Sequence, residues 1–173
     1  MKIDLSILYK RQEELDDEIA RNHNINYETT FSRRFLALLV EFGELANETR
    51  CFKYWSNKKS SPKEVVSDEY SDGLHFLLSL GIVLNPDKKE YELAKNKEDL
   101  TEQFVKLYSL ANILYANYNL DNYYNLMQYY LNLALSIDMD NTDIINSYLK
   151  KLDVNHNRQK NNYWFNVKLN YNK

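Results

Sequence analysis

The stretch FSRRFLALLVEFGELA (Phe31–Ala46) decides the fold class. Its apolar residues Phe31, Phe35, Leu38, Leu39, Phe42, Leu45 and Ala46 recur at spacings of three and four. That is the period of one helix face, not the alternation of a strand. Asn24 or Asn26 can cap its start, and Glu28 stands in the first turn, where an acid favours the helix dipole. The pattern predicts a helix from Glu28 to about Cys51, long enough to cross a whole domain.

Outward from this helix the chain alternates further helical segments with short polar breaks. Residues 52–61 are polar and basic, with Lys53, Lys58 and Lys59, and read as a loop. Ser61 followed by Pro62 looks like an N-cap and the first helical position. The next helix then runs from Pro62 to about Leu84 on a stripe of Val65, Val66, Leu74, Leu77, Leu78 and Ile82, and Asn85-Pro86 stops it. A first helix precedes both, from Asp4 to about Arg21. Residues 87–99 are charged and read as a surface excursion. Further helices are expected over Leu100–Tyr118, Tyr123–Ile137 and Asn141 to about Lys151, the last capped by Asn141 or Thr142. Beyond Lys151 the chain turns polar and aromatic and has no apolar stripe to bury. The expected architecture is all-α: a compact bundle of about six helices, in one domain spanning residues 1–173.

Composition supports that class and excludes others. A chain of 173 residues suits one core. It holds 3 Gly and 2 Pro, against typical usage of roughly 7% and 5%. Such scarcity argues against a sheet-rich fold with many tight turns, and against a Gly-rich phosphate loop. A net charge of −3 does not suit a protein that coats nucleic acid. Cys51 is the single cysteine, so neither an internal disulfide nor a cysteine-based zinc site is expected. The longest apolar run, Phe35–Val40, is far too short to span a membrane. The reading is a soluble, cytoplasmic domain without nucleic-acid or membrane partners.

The chemistry lies in four acids. Glu41 and Glu44 stand three apart within the apolar face of the deciding helix, and Glu69 and Asp72 repeat the pattern on the next. Three-residue spacing puts each pair side by side. Like charges beside a core stripe are costly unless something positive lies between them. A short loop between the helices makes them antiparallel neighbours, so the metal site is expected between them, with four carboxylates across one cleft. Hard oxygen donors suit Mg²⁺, or Mn²⁺, and no His or Cys set points to zinc. An isolated acidic pair is usually a solvated face; two pairs on consecutive long helices are not.

Glu41-x-x-Glu44 followed by Glu69-x-x-Asp72 resembles the signature of the all-α nucleoside triphosphate pyrophosphatases, and the wider context resembles their dimeric dUTPase branch. VEFGELANETRCFKYWS (Val40–Ser56) and DEYSDGLHFLLSLGI (Asp68–Ile82) look like its metal-binding segments. RQEELDDEI (Arg11–Ile19) looks like its uracil-site segment, and SYLKKLDVNHNRQKNNY (Ser147–Tyr163) like its phosphate-site segment. The resemblance implies a Mg²⁺-dependent dUTP diphosphatase, a homodimer, in which Glu41, Glu44, Glu69 and Asp72 hold metal and Glu41 orients or deprotonates the attacking water. It implies dUTP, and also dUDP, as substrates, with dUMP and pyrophosphate as the products from dUTP. Gln12 matches the glutamine of the uracil segment. Asp16 stands where the family often has an amide, so it either reads the nucleotide differently or does not touch it. Trp55 and Phe76 match aromatics around the base and deoxyribose. Lys53, Arg158 and Tyr163 match positions that resemble the family's phosphate contacts, and Asn155 matches an amide of the same motif, although the family's Gly before the Tyr is Asn162 here. Residues 152–173 are expected to close over the substrate. His75 matches the same segment as Phe76 but is read as structural. Two alternatives accompany this reading: a dCTP or general nucleotide pyrophosphatase, and a protein-binding regulator that engages a repressor, as some phage enzymes of this layout do.

Overall fold

The computed structural model describes residues 1–161; Asn162 and Tyr163 lie outside them. It contains six helices: α1 (Ser6–His23), α2 (Tyr27–Thr49), α3 (Lys63–Leu84), α4 (Leu100–Ala116), α5 (Leu120–Ser136) and α6 (Asn141–Lys160). Two short strands, β1 (Lys2–Asp4) and β2 (Glu90–Glu92), pair antiparallel with Ile3 opposite Tyr91. The all-α bundle is thus as expected. Strand β2 is the surprise in the 87–99 excursion: its side chains alternate exposed, buried, exposed, and only Tyr91 enters the core.

Each helix start has its own chemistry. Asn26 caps α2 in a reciprocal box with Thr29, Asp99 accepts from the amides of Thr101 and Glu102 at α4, and Asp140 forms a box with Asp143 at α6. Each satisfies donors that the first turn leaves unpaired. Asn24 takes the other end of the break, closing α1 in the left-handed region at φ 52°, which Asn tolerates better than most residues. Pro62 is itself the cap position of α3 and makes no side-chain cap bond.

Helix α3 is the axis of the bundle. It packs on α1, α2, α5 and α6, and its buried residues come from every side, from Val66 and Tyr70 through Leu74, Leu77 and Leu78 to Leu80. Glycine permits the closest approach. A Cβ on Gly73 would stand 2.3 Å from Tyr130 Oη, and one on Gly81 would stand 2.1 Å from Tyr123 Oη. Those hydroxyls are anchored in turn, Tyr130 donating to Tyr70 O and Tyr123 bonding Tyr9 Oη at 2.7 Å.

Helices α2 and α3 are antiparallel. From one end to the other, Ser61 N bonds Glu48 O, Glu41 meets Asp72, and Arg34 meets Ser79. On α2's far side Leu36 and Val40 are 63% and 48% exposed, and Val105 and Ile113 of α4 are also exposed. Among the described residues no helix is long and apolar enough to cross a membrane.

Helix α6 runs to Lys160, nine residues past its expected end at Lys151. Polar contacts, rather than an apolar stripe, hold this extension to α1: Asn22 donates to Gln159, and His156 pairs with Glu18. Residues 152–160 are therefore helical wall of the cleft.

Candidate functional site

Glu41 from α2 and Glu69 and Asp72 from α3 each offer a carboxylate oxygen, all within 4.8 Å of one another. The helical periodicity that builds the core also sets these acids at its edge: Phe42 and Leu45 flank Glu41 inward, while Tyr70 and Leu74 flank the α3 pair. Glu44 is exposed beside them, and its charge acts on both Glu41 and Glu69. Half-burial, together with the charges of Asp72, Glu44 and Glu69, pushes the Glu41 carboxyl up to about 7. Burial and neighbouring acids raise Glu69 as well. Burial is also the main cause of the rise at Asp72, against the pull of Lys151. A group of hard oxygens that resists its own ionisation is chemically suited to a divalent cation of the Mg²⁺ or Mn²⁺ kind.

One cation is already present. Lys151, buried on α6, pairs with Asp72 and with Asp68 Oδ2 at 2.7 Å. Burial works against its charge, but the two acids prevail and its pKa rises. The signal that finds it is its register: Ile144, Tyr148, Lys151 and Leu152 share the buried face of α6.

From the acids a cleft of about 560 Å³ extends between α1, α2, α3 and α6. Glu41 and Asp72 border one part of it, and Gln12, Asp16, His75, Phe76, Asn155 and Arg158 line the remainder. Thus the uracil-segment residues and part of the phosphate segment come together with the acids. Lys53 and Trp55 do not. They follow the end of α2, whose last turns carry the chain about 12 Å beyond Glu41. Trp55 is 66% exposed with its ring edge-on to Tyr54, and Lys53 bonds Asn47.

Gln12 and Asp16 are each only 3% exposed and belong to a saturated network. Asp16 Oδ2 accepts from Tyr27 Oη (2.6 Å), Arg34 Nη1 (3.0 Å) and Ser79 Oγ (2.7 Å), and Oδ1 accepts from Gln12 Nε2 (2.9 Å). Arg34 is held further by Thr30 and stacks over the Tyr27 ring at 4.3 Å. Gln12 Oε1 accepts from Tyr148 Oη (3.0 Å) and faces His75 Nδ1 at 2.7 Å. The His75 ring stacks on Tyr148 at 4.1 Å, and burial lowers its pKa to about 3. Sequence reasoning missed Arg34 and Tyr148 because each looks ordinary until the helices bring it to Asp16 and Gln12. Tyr163 lies outside the described residues.

The model of a family described as dUTPase matches residues 4–163 of the chain. None of the curated proteins matches it.

Proposed function

The chain belongs to this dUTPase family and is a dUTP diphosphatase; from that premise we propose that it cleaves dUTP at the α-phosphorus by a metal-dependent route, with Mg²⁺ or Mn²⁺ held by Glu41, Glu44, Glu69 and Asp72. The observation that carries this reading is the convergence of three carboxylates within 4.8 Å at a cleft of nucleotide-binding size. A bound divalent ion would supply charge neutralisation for the triphosphate and a more acidic water. Glu41 orients the attacking water and takes its proton as the oxygen attacks. The new bond joins water oxygen to the α-phosphorus, the bond to the bridging oxygen of the β-phosphate breaks, and pyrophosphate departs. Arg158 and Asn155 meet the phosphates from α6. Phe76 lies against the deoxyribose, where a 2′-hydroxyl finds neither room nor partner. Lys151 keeps the acids compensated between turnovers. The same contacts accept dUDP.

The enzyme works in the cytoplasm as a homodimer. Support for the dimer comes from the exposed apolar face of Leu36, Val40, Val105 and Ile113, which one long helix and its neighbour present without cover in the monomer. Lys53 and Trp55, which do not line their own chain's cleft, are the loop residues available to a second copy. Tyr163 is assigned to the phosphates by resemblance alone.

Pyrophosphate release from dUTP, dCTP and UTP tests the reading, each with Mg²⁺, with EDTA, and with Glu69→Gln. Release from dUTP that EDTA and the substitution both abolish is the expected result. Turnover that survives EDTA overturns the metal reading.

A further inference from the structure

The chain holds 3 Gly, and two of them stand beside the acids: Gly43 between Glu41 and Glu44, and Gly73 directly after Asp72. A helical side chain leans back over the turn before it. A side chain at position 43 would therefore cover the carbonyl of Leu39, and one at position 73 the carbonyl of Tyr70. With glycine in both places these carbonyls are open from the side, and a tyrosine from another helix reaches each. Tyr108 of α4 donates to Leu39 O at 2.8 Å, and Tyr130 of α5 donates to Tyr70 O at 2.6 Å. The hydroxyls take up the space that the glycines leave. A Cβ on Gly43 would lie 3.1 Å from Tyr108 Oη, and one on Gly73 would lie 2.3 Å from Tyr130 Oη.

One aromatic layer links the two bonds. Phe42, the neighbour of Glu41, meets the Tyr108 ring edge-on at 6.0 Å and the Tyr130 ring at 5.3 Å. Tyr130 in turn stacks on Tyr70, the neighbour of Glu69, at 4.5 Å. Burial, Tyr70 and the charges of Asp72, Glu41 and Glu69 hold the Tyr130 phenol well above its ordinary pKa, so it keeps the proton that it donates. The third glycine lies away from the acids. Gly81 also faces a tyrosine, but that residue, Tyr123, bonds Tyr9. At this end of α3 it is Tyr118 that donates to a carbonyl, Leu80 O, eight residues beyond Asp72.

We propose that Tyr108 and Tyr130 are positioning residues for the carboxylate cluster. Each hydroxyl ties one acid-bearing helix to the α4–α5 pair, at a carbonyl within two residues of an acid. The ties oppose a real force. Ionised without a cation, Glu41, Glu69 and Asp72 repel one another, and rotation of either helix would relax that repulsion by taking the acids apart. Two helices that supply none of these acids thus set how tightly the acids grip a cation. The proposal rests on the reading of the acids as a metal site.

Mn²⁺ binding to the full chain without nucleotide is the test, with free Mn²⁺ read from its electron paramagnetic resonance signal. Tyr108→Phe and Tyr130→Phe each remove one hydroxyl and keep the ring. Each should weaken Mn²⁺ binding about tenfold, the lower end of what supporting groups contribute, because these act through the backbone rather than on a ligand atom. The Mg²⁺ concentration for half-maximal turnover of dUTP should rise by the same factor. Tyr118→Phe is the matched control. It removes the same kind of bond from the same helix, away from the acids, and its Mn²⁺ affinity should equal the parent's. Gly43→Ala separates positioning from stability. Alanine favours the helix, yet its methyl displaces Tyr108 Oη. In EDTA this variant should melt above Tyr118→Phe, and yet bind Mn²⁺ more weakly. Parental affinity in both Tyr108→Phe and Tyr130→Phe overturns the proposal, as does an equal loss in Tyr118→Phe. A parent that binds no Mn²⁺ overturns the metal reading itself, and the proposal with it.

Discussion

Replacing Glu41 by Gln should stabilise the metal-free protein and remove much of its response to metal. The carboxyl's rise from 4.5 to about 7 comes from burial and from Asp72, Glu44 and Glu69. The full rise is worth about 3 kcal/mol. Glu41 is only half-buried, and water screens such a group, so about 1–2 kcal/mol is the working figure. The sign follows from proton linkage. Between pH 4.5 and 7 the folded state binds more protons at this group than the unfolded state, so Glu41 costs stability increasingly as pH rises through that window. In EDTA at pH 8, Glu41→Gln should therefore melt about 2–8 °C above the parent. Below pH 4.5 the two should converge. Saturating Mg²⁺ should reverse the order, because the parent gains binding energy that the variant largely forgoes. Thermal melts by circular dichroism across pH, with EDTA and with Mg²⁺, measure all three. A variant less stable than the parent in EDTA, or a gap that does not change with pH, refutes the reasoning.

Lys151→Met should cost about 3 kcal/mol in EDTA by urea unfolding, since it leaves Asp68 and Asp72 without their buried cation; most of that loss should return with Mg²⁺. His75 is held neutral by burial, with a pKa near 3, so its contribution is present above 6.5 and fades as pH falls toward 3. Relative to His75→Phe, the parent should lose about 2 kcal/mol between pH 7 and pH 5, and a parallel pH dependence would contradict this. Gly81→Ala drives a methyl into the Tyr123 ring, with Oη at 2.1 Å and Cζ at 2.3 Å. It should cost about 3 kcal/mol in chemical denaturation, and a neutral result would mean that α3 and α5 separate easily.

The deciding helix was legible because α2 carries one continuous apolar face from Phe35 to Ala46. The acids were legible for the same reason, as charges interrupting that face and its partner on α3. What escaped reading depends on contacts between distant elements. The last turns of α6 bury no stripe and are tied to α1 by single polar pairs, so periodicity ends where the helix does not. Strand β2 contributes one buried residue, Tyr91, too few to show a period. Lys151 looks like any basic surface residue until α6 turns it toward Asp72. Gln12 stood out by resemblance, but its commitment to Asp16, His75 and Tyr148 is a property of three helices at once. The placement of Lys53 and Trp55 outside their own chain's cleft follows from the length of α2, which no motif records.

The two short strands have a consequence for the order of assembly. Ile3 pairs with Tyr91, Leu5 N bonds Lys89 O, and Leu93 N bonds Met1 O, so the clasp joins segments about ninety residues apart and must pay a large loop-closure entropy before it forms. Helix α1, which follows that clasp, packs mainly on α3 and α6 and meets its neighbour α2 through Asp16, Tyr27 and Arg34. The hairpin of α2 and α3, which carries the acids, can form from local contacts; the wall that carries Gln12 and Asp16 should join last. Read in reverse, α1 is the unit that lets go first. Its amides should exchange with deuterium through a partial opening, while those of α3 wait for global unfolding. An intermediate without α1 would keep its carboxylates together and yet lack the cleft wall that Gln12 and Asp16 line.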